Sequence, residues 1–246
     1  IGSEGTLGII TEATLSIFPK PEMATNIAFT FSDIKVGADI SKEISKNTST
    51  LSSVFIMDGS LMETLKTGSM KISHKGFLGV LRLEGTKEVV DLEASFTKKV
   101  CESPLHPQVG NKIWNSRFLY PLIKARETPV LVDDYIIPTD KNADAYHKLE
   151  DIGAKHGLKS SFYSLQISVD SNLSVFIFYM NGSREADIAR EELEGSILSL
   201  GGKPCSAGLR RTAAMKKASS GSLDLLRKIK GVFDRENLLN PEKLVL

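Results

Sequence analysis

Apolar positions along the chain switch repeatedly between a period of two and a period near 3.6, and each switch marks a change of element. Ile27, Phe29 and Phe31 fall on one face of a strand over residues 25–31, and residues 33–46 read as a helix opened by Ser32. Residues 51–57 make a second strand and 59–66 a short helix. Residues 76–83 make a third strand, in which Phe77, Gly79, Leu81 and Leu83 alternate with Leu78, Val80 and Arg82. A helix over 86–101 follows, capped by Thr86 and with Glu88 in its first turn, where a carboxylate suits the helix dipole. A loop containing Pro104 and Pro107 leads to a helix over 111–125. The series then repeats: strand 130–137, helix 139–156, a hairpin of 160–168 and 173–179, and helix 183–200 ending at Gly201-Gly202. Both halves run strand, helix, strand, strand, helix. That order predicts an α+β fold of two ferredoxin-like units packed side by side, a duplicated βαββα pattern. The remainder, 212–236, is helical and is stopped by Asn240-Pro241.

The first twelve residues break the pattern. Gly2, Gly5 and Gly8 lie within seven positions, with Ser3 and Thr6 between them, and a strand-like run over 11–18 is closed by Pro19-Lys20-Pro21. Such a turn lets the backbone approach a ligand closely and can turn N–H groups toward phosphate oxygens. It has neither the lysine of a P-loop nor the spacing of a dinucleotide fingerprint.

Composition narrows the function classes. Over 246 residues the chain is 41% apolar and 25% charged, an ordinary globular balance. Thirty-one basic residues against 30 acidic ones imply no general attraction to nucleic acid or an anionic membrane. Arg210-Arg211 and Lys216-Lys217 read as a solvated helix face. Two distant cysteines, Cys101 and Cys205, form no metal-binding or disulfide pattern, which points to a reducing, cytoplasmic setting. No apolar run reaches the length of a membrane span. Opening in mid-motif at Ile1, the chain is expected to be part of a longer polypeptide.

The whole string Gly2-Ser3-Glu4-Gly5-Thr6-Leu7-Gly8-Ile9-Ile10-Thr11-Glu12-Ala13 resembles the closing segment of the FAD-binding domain in flavin-linked oxidases of the glycolate oxidase, D-lactate dehydrogenase and D-2-hydroxyglutarate dehydrogenase type. At the other end, the segment Phe233 to Leu244 is similar to the family's tail, in which an Asn-Pro-x-Lys string returns to the flavin domain. The resemblance implies a C-terminal substrate domain of two ferredoxin-like subdomains. It divides the chain into an edge of the FAD domain (1–21), a substrate domain (22–210, with halves of about 22–108 and 109–210) and a returning helical segment (211–246). It implies FAD as cofactor, mostly held by an upstream domain. Gly2, Ser3, Glu4, Gly5, Thr6, Gly8, Ile9, Ile10 and Asn240 would lie along it, with Lys243 nearby. The activity implied is oxidation of a small 2-hydroxy acid with hydride passing to the flavin, and an electron-acceptor subunit is a possible partner.

Within the chain, Trp114-Asn115-Ser116-Arg117 resembles the family's Trp-x-x-Arg, whose arginine meets the substrate carboxylate. A guanidinium suits that task because it can hold a carboxylate through two parallel hydrogen bonds. The family's metal ligands, however, are replaced. Ile167 and Ser174 stand where histidines are expected, and Ser206 and Ala207 stand for a Glu-His pair, so no metal is expected here. The four histidines, His74, His106, His147 and His156, read as surface residues, with His106 the first to test. Cys205 reads as a buried structural thiol, and Tyr163 and Tyr179 as core or substrate-facing residues. With the metal positions lost, the alternative is a non-catalytic module kept for assembly or ligand binding.

Overall fold

The computed structural model describes residues 3–62, 76–101, 104–119, 130–179, 184–205, 220–241 and 243. Seven strands are joined in one antiparallel sheet: β1 (Met23–Phe31), β2 (Leu51–Asp58), β3 (Phe77–Gly85), β4 (Val130–Pro138), β5 (Ser160–Ser168), β6 (Ser171–Tyr179) and the two-residue β7 (Lys203–Pro204). Their spatial order is β1-β3-β2-β5-β6-β4-β7. Each half thus places its third strand between its first and second. The halves meet where β2 pairs with β5, with Phe55 opposite Leu165 and Met57 opposite Tyr163. What alternation alone suggested as two units side by side is a single continuous sheet.

Helices α1 (Ile34–Asn47), α3 (Lys87–Val100), α5 (Asn142–Lys155) and α6 (Arg184–Ser199) accompany the strands, with the single turn α2 (Gly59–Met62) after β2. Period-two alternation gives the sheet two apolar faces. Phe29, Phe31, Ile56, Leu81, Tyr135, Phe162, Phe176 and Phe178 pack under the helices with Ile44, Leu149 and Leu193. On the other face Phe55, Met57, Leu78, Val80, Tyr163, Val175 and Ile177 pack with Val109 and Ile113 of α4 (Pro107–Ser116).

Boundaries differ from expectation where local chemistry outweighs period. Asp33, not Ser32, caps α1, its carboxylate accepting from Lys35 N at 2.8 Å. Thr86 holds the cap position of α3, but its side chain makes no capping bond. Helix α4 begins at Pro107, four residues early, because His106 Nδ1 caps it by accepting from Gln108 N at 3.3 Å and proline suits the first helical turn. The run over 11–18 forms no strand: Ile9, Ile10, Leu15, Ile17 and Phe18 are exposed and no ladder pairs with them among the described residues. Described helix near the C-terminus is α7 (Ser220–Phe233). The rest of the expected 212–236 helix up to residue 219, and residues 63–66 and 120–125 of two others, lie outside the described residues.

Candidate functional site

The two ends of the chain meet. Residues 3–8 fold into a tight turn in which Glu4 (φ 52°) and Gly5 (φ 72°) both take left-handed conformations. Thr6 closes it, its N and Oγ1 donating to Ser3 O at 3.0 and 2.6 Å. A Cβ at Gly5 would lie 2.6 Å from Asn240 Nδ2, and that same amide donates to Glu4 O at 2.7 Å. Lys243 Nζ stands 3.8 Å from Glu4 Oε2. Beneath the turn, Lys230 of α7 is buried and donates to Thr6 O (3.0 Å), Leu239 O (2.8 Å) and Asp234 Oδ2 (2.6 Å). Asp234 in turn accepts from Leu238 N at 2.8 Å and Leu239 N at 2.9 Å. The Lys230 ammonium holds the Asp234 carboxyl below the usual carboxylate range, and the two N–H groups add to this.

This knot brings together Ser3, Glu4, Gly5, Thr6, Asn240 and Lys243, while Gly2 lies outside the described residues. Beyond it, Gly8 has nothing within 4 Å of its would-be Cβ, and Ile9 and Ile10 are exposed. Sequence reasoning missed Lys230 and Asp234, whose i, i+4 spacing was the available signal.

The second cluster lies on the α4 face of the sheet. Helix α4 sits directly on β1, because Gly110 lets it approach Asn26 O, which a Cβ there would meet at 2.5 Å. Gly110→Ala is expected to push the helix outward and lower stability by about 1–3 kcal/mol, the usual cost of overpacking against a fixed backbone, as measured by urea unfolding. The last turn of α4 presents Trp114, and Arg117 caps it, Nη1 donating to Trp114 O at 2.6 Å. The Arg117 guanidinium carbon lies 4.0 Å from the Trp114 ring centre and 4.5 Å from that of Phe118. Among the described residues it meets no carboxylate, and its Nε is buried without a partner. Burial, and then the charge of Arg82, lower its pKa.

The remaining expected positions separate. Ser174 is fully buried under the helices, donating to Asn142 Oδ1 at 2.6 Å, whereas Ile167 is half exposed. Ser206 and Ala207 lie outside the described residues, among which no three His, Cys, Asp or Glu side chains gather as metal ligands. His106 is a helix cap, His147 stands beside Glu150, His156 bonds Glu192 at 2.9 Å, and His74 lies outside the described residues. Cys205, expected to be buried, is exposed just past the short strand β7. Cys101 is the buried thiol, pushed up to about 12 by desolvation. Tyr163 is in the core, and Tyr179 OH bonds Ser161 Oγ at 2.6 Å.

Residues 20–244 match the family model of FAD linked oxidases, C-terminal domain. The chain belongs to that family. Among its relatives, the glycolate oxidase subunit GlcD of Bacillus subtilis is 24% identical over 99% of this chain and 56% of its own length. The D-lactate dehydrogenase of Archaeoglobus fulgidus is 23% identical over 100% of the chain and 57% of its own. The chain therefore spans just over half the length of these relatives. A solved alkyldihydroxyacetonephosphate synthase matches 99% of the chain and 49% of its own at 17% identity and a TM-score of 0.69. A p-cresol methylhydroxylase matches 92% and 53% at 13% identity and a TM-score of 0.71, so the fold is shared. Membership in the FAD-linked oxidase family implies FAD, and the N-terminal turn fits such a group. Its backbone is held from beneath by Lys230 and Asn240, while Gly8, Ile9 and Ile10 offer an open, apolar edge. No described helix is long and apolar enough to cross a membrane.

Proposed function

We propose that the chain is the substrate-domain portion of an FAD-dependent oxidoreductase acting on a small 2-hydroxy acid of the glycolate or D-lactate type, in a larger flavoprotein whose other part holds most of the cofactor. Bound FAD supplies the two-electron acceptor for a hydride from the carbon bearing the hydroxyl. The segment from Gly2 to Ile10, with Asn240, edges the flavin. Lys230 and Asp234 fix that turn. Arg117 holds the substrate carboxylate through a bidentate bond, orienting the reacting carbon. The substrate domain consists of two ferredoxin-like halves, a reading supported by the order β2-β3-β1 in one and β5-β6-β4-β7 in the other.

The observation that carries this reading is Arg117. It is a partly buried guanidinium stacked on Trp114, facing no carboxylate among the described residues, in a chain of the FAD-linked oxidase family. The test is the visible spectrum of the full-length protein. A bound flavin whose absorbance bleaches anaerobically with D-lactate or glycolate is the expected result. A folded, colourless protein, or a flavin indifferent to every 2-hydroxy acid, supports the non-catalytic module instead.

A further inference from the structure

The helix face of the sheet, opposite Trp114 and Arg117, carries a cavity of about 880 Å³ between α1 and the start of α5. It lies over the seam of the two halves. Val54 and Ile56 of β2 floor one side, and Ser164, Gln166 and Asn172 of β5 and β6 floor the other. Its volume is that of a small-molecule site.

Two carboxamides face it. Gln166 and Asn172 stand opposite one another on β5 and β6, so their side chains share the helix face. The next pair in that row, Ser164 and Ser174, is already satisfied: Ser174 donates to Asn142 Oδ1 at 2.6 Å, and Asn142 Nδ2 donates to Ser164 Oγ at 3.1 Å. Asn172 differs. It is only 6% exposed, and its carboxamide has no hydrogen-bond partner among the described residues. The Gln166 carboxamide has none there either. A buried amide is costly unless something in the cavity meets it.

The chemistry of that group narrows the ligand. A carboxamide donates and accepts from adjacent atoms, so its two-point complement sets a donor beside an acceptor, as adenine N6–H and N7 do for Asn or Gln. A carboxylate or an ammonium answers only half of it. A trans peptide bond turns its N–H and C=O to opposite edges and cannot offer both. The rim selects no charge. Lys35, Lys42 and Lys46 are balanced by Asp140, Asp144 and Asp170, and Lys141, 3.9 Å from Asp140 and Asp144, offsets Asp39. Ile34, Val54, Ile56 and Ala143 supply apolar surface for the faces of a ring.

We propose that this cavity binds a neutral planar heterocycle whose edge sets an N–H donor beside an acceptor, as in a nucleoside, with Asn172 and Gln166 reading that edge. The site lies on the face away from Arg117 and does not rest on the reading of the clamp.

The experiment is calorimetric titration of the full-length protein, saturated with FAD, with adenosine, uridine, AMP and N-methylacetamide. At least one nucleoside is expected to bind saturably, AMP no more tightly than adenosine, and N-methylacetamide not at all. Asn172→Leu and Gln166→Met should each weaken the nucleoside by roughly tenfold or more. Without ligand, Asn172→Leu should unfold in urea no earlier than the parent, because the amide it removes has no described partner to lose. Neither nucleoside binding, binding unchanged in both variants, tighter binding of AMP than of adenosine, or an earlier unfolding of Asn172→Leu would each overturn the proposal.

Discussion

Lys230→Met is expected to lower the melting temperature by about 10 °C, because it breaks a buried ion pair by removing one partner. Lys230 spends all three ammonium hydrogens on Thr6 O, Leu239 O and Asp234. Methionine keeps an unbranched apolar stem, one atom shorter, but donates nothing. It would leave two carbonyls without that donor and the Asp234 carboxylate without its counter-charge. Arginine is expected to rescue little, since its planar fork cannot reach three acceptors gathered around a compact ammonium. The loss should be local first: amide exchange at Thr6, whose N–H bonds Ser3 O at 3.0 Å, should quicken before the sheet melts. The pH dependence has a definite sign. Asp234 has a depressed carboxyl, so its contribution is present above its unfolded value near pH 4 and is lost as pH falls below that. A Lys230→Met protein melting within 2 °C or so of the parent would show that the chain ends are not held by this pair.

Asp58 should give the opposite pH response. It lies at the end of β2, buried, where Oδ1 accepts from Ser60 Oγ (2.7 Å) and Leu61 N (3.1 Å) and Oδ2 from Phe162 N (2.5 Å). It therefore extends the β2–β5 seam by one side-chain bond. Ser60 passes the network to Ser161, which bonds Tyr179 OH at 2.6 Å. Desolvation outweighs these bonds and pushes the carboxyl up to about 6. An acid with a raised folded pKa stabilises the fold fully below its unfolded value and loses that contribution as pH rises through the folded one. Between pH 4 and 7 the loss is about 2 kcal/mol, most of a shift of roughly two units at 1.36 kcal/mol each, since the unfolded carboxyl is already partly ionised at pH 4. Asp58→Asn removes the titration. Relative to the parent, it should gain about that amount in urea-unfolding stability between pH 4 and 7. Parallel pH profiles for the two proteins would place the Asp58 charge in water instead.

The strand and helix series was legible because both sheet faces are buried, which leaves apolar runs of strand length between helical stretches, as Phe77, Leu81 and Leu83 on one face and Leu78 and Val80 on the other illustrate. Joining of the halves was not legible. The β2–β5 seam is a long-range pairing, and nothing in either strand names its partner. β7 is two residues long, too short for any period. The run over 11–18 shows the converse, since apolar residues suggest a strand that here has no described ladder. In the α4 cluster, Arg117 stands out in the sequence through its spacing from Trp114, whereas Arg82, which shares that ring, lies within an apolar strand, where a lone arginine is itself a signal. Lys230 and Asp234 carry no sequence signal beyond an i, i+4 spacing that surface helices share. Only the meeting of the chain ends makes them buried.

The most direct test of the account follows the rate of anaerobic flavin bleaching against D-2-hydroxy acid concentration in the full-length protein and in Arg117→Ala. Saturable bleaching, with the half-saturating concentration raised at least tenfold in the variant, is the predicted result. Loss of one charge-assisted bidentate bond accounts for a change of that size. Identical saturation curves in the two proteins would contradict it, because Arg117 would then hold no carboxylate.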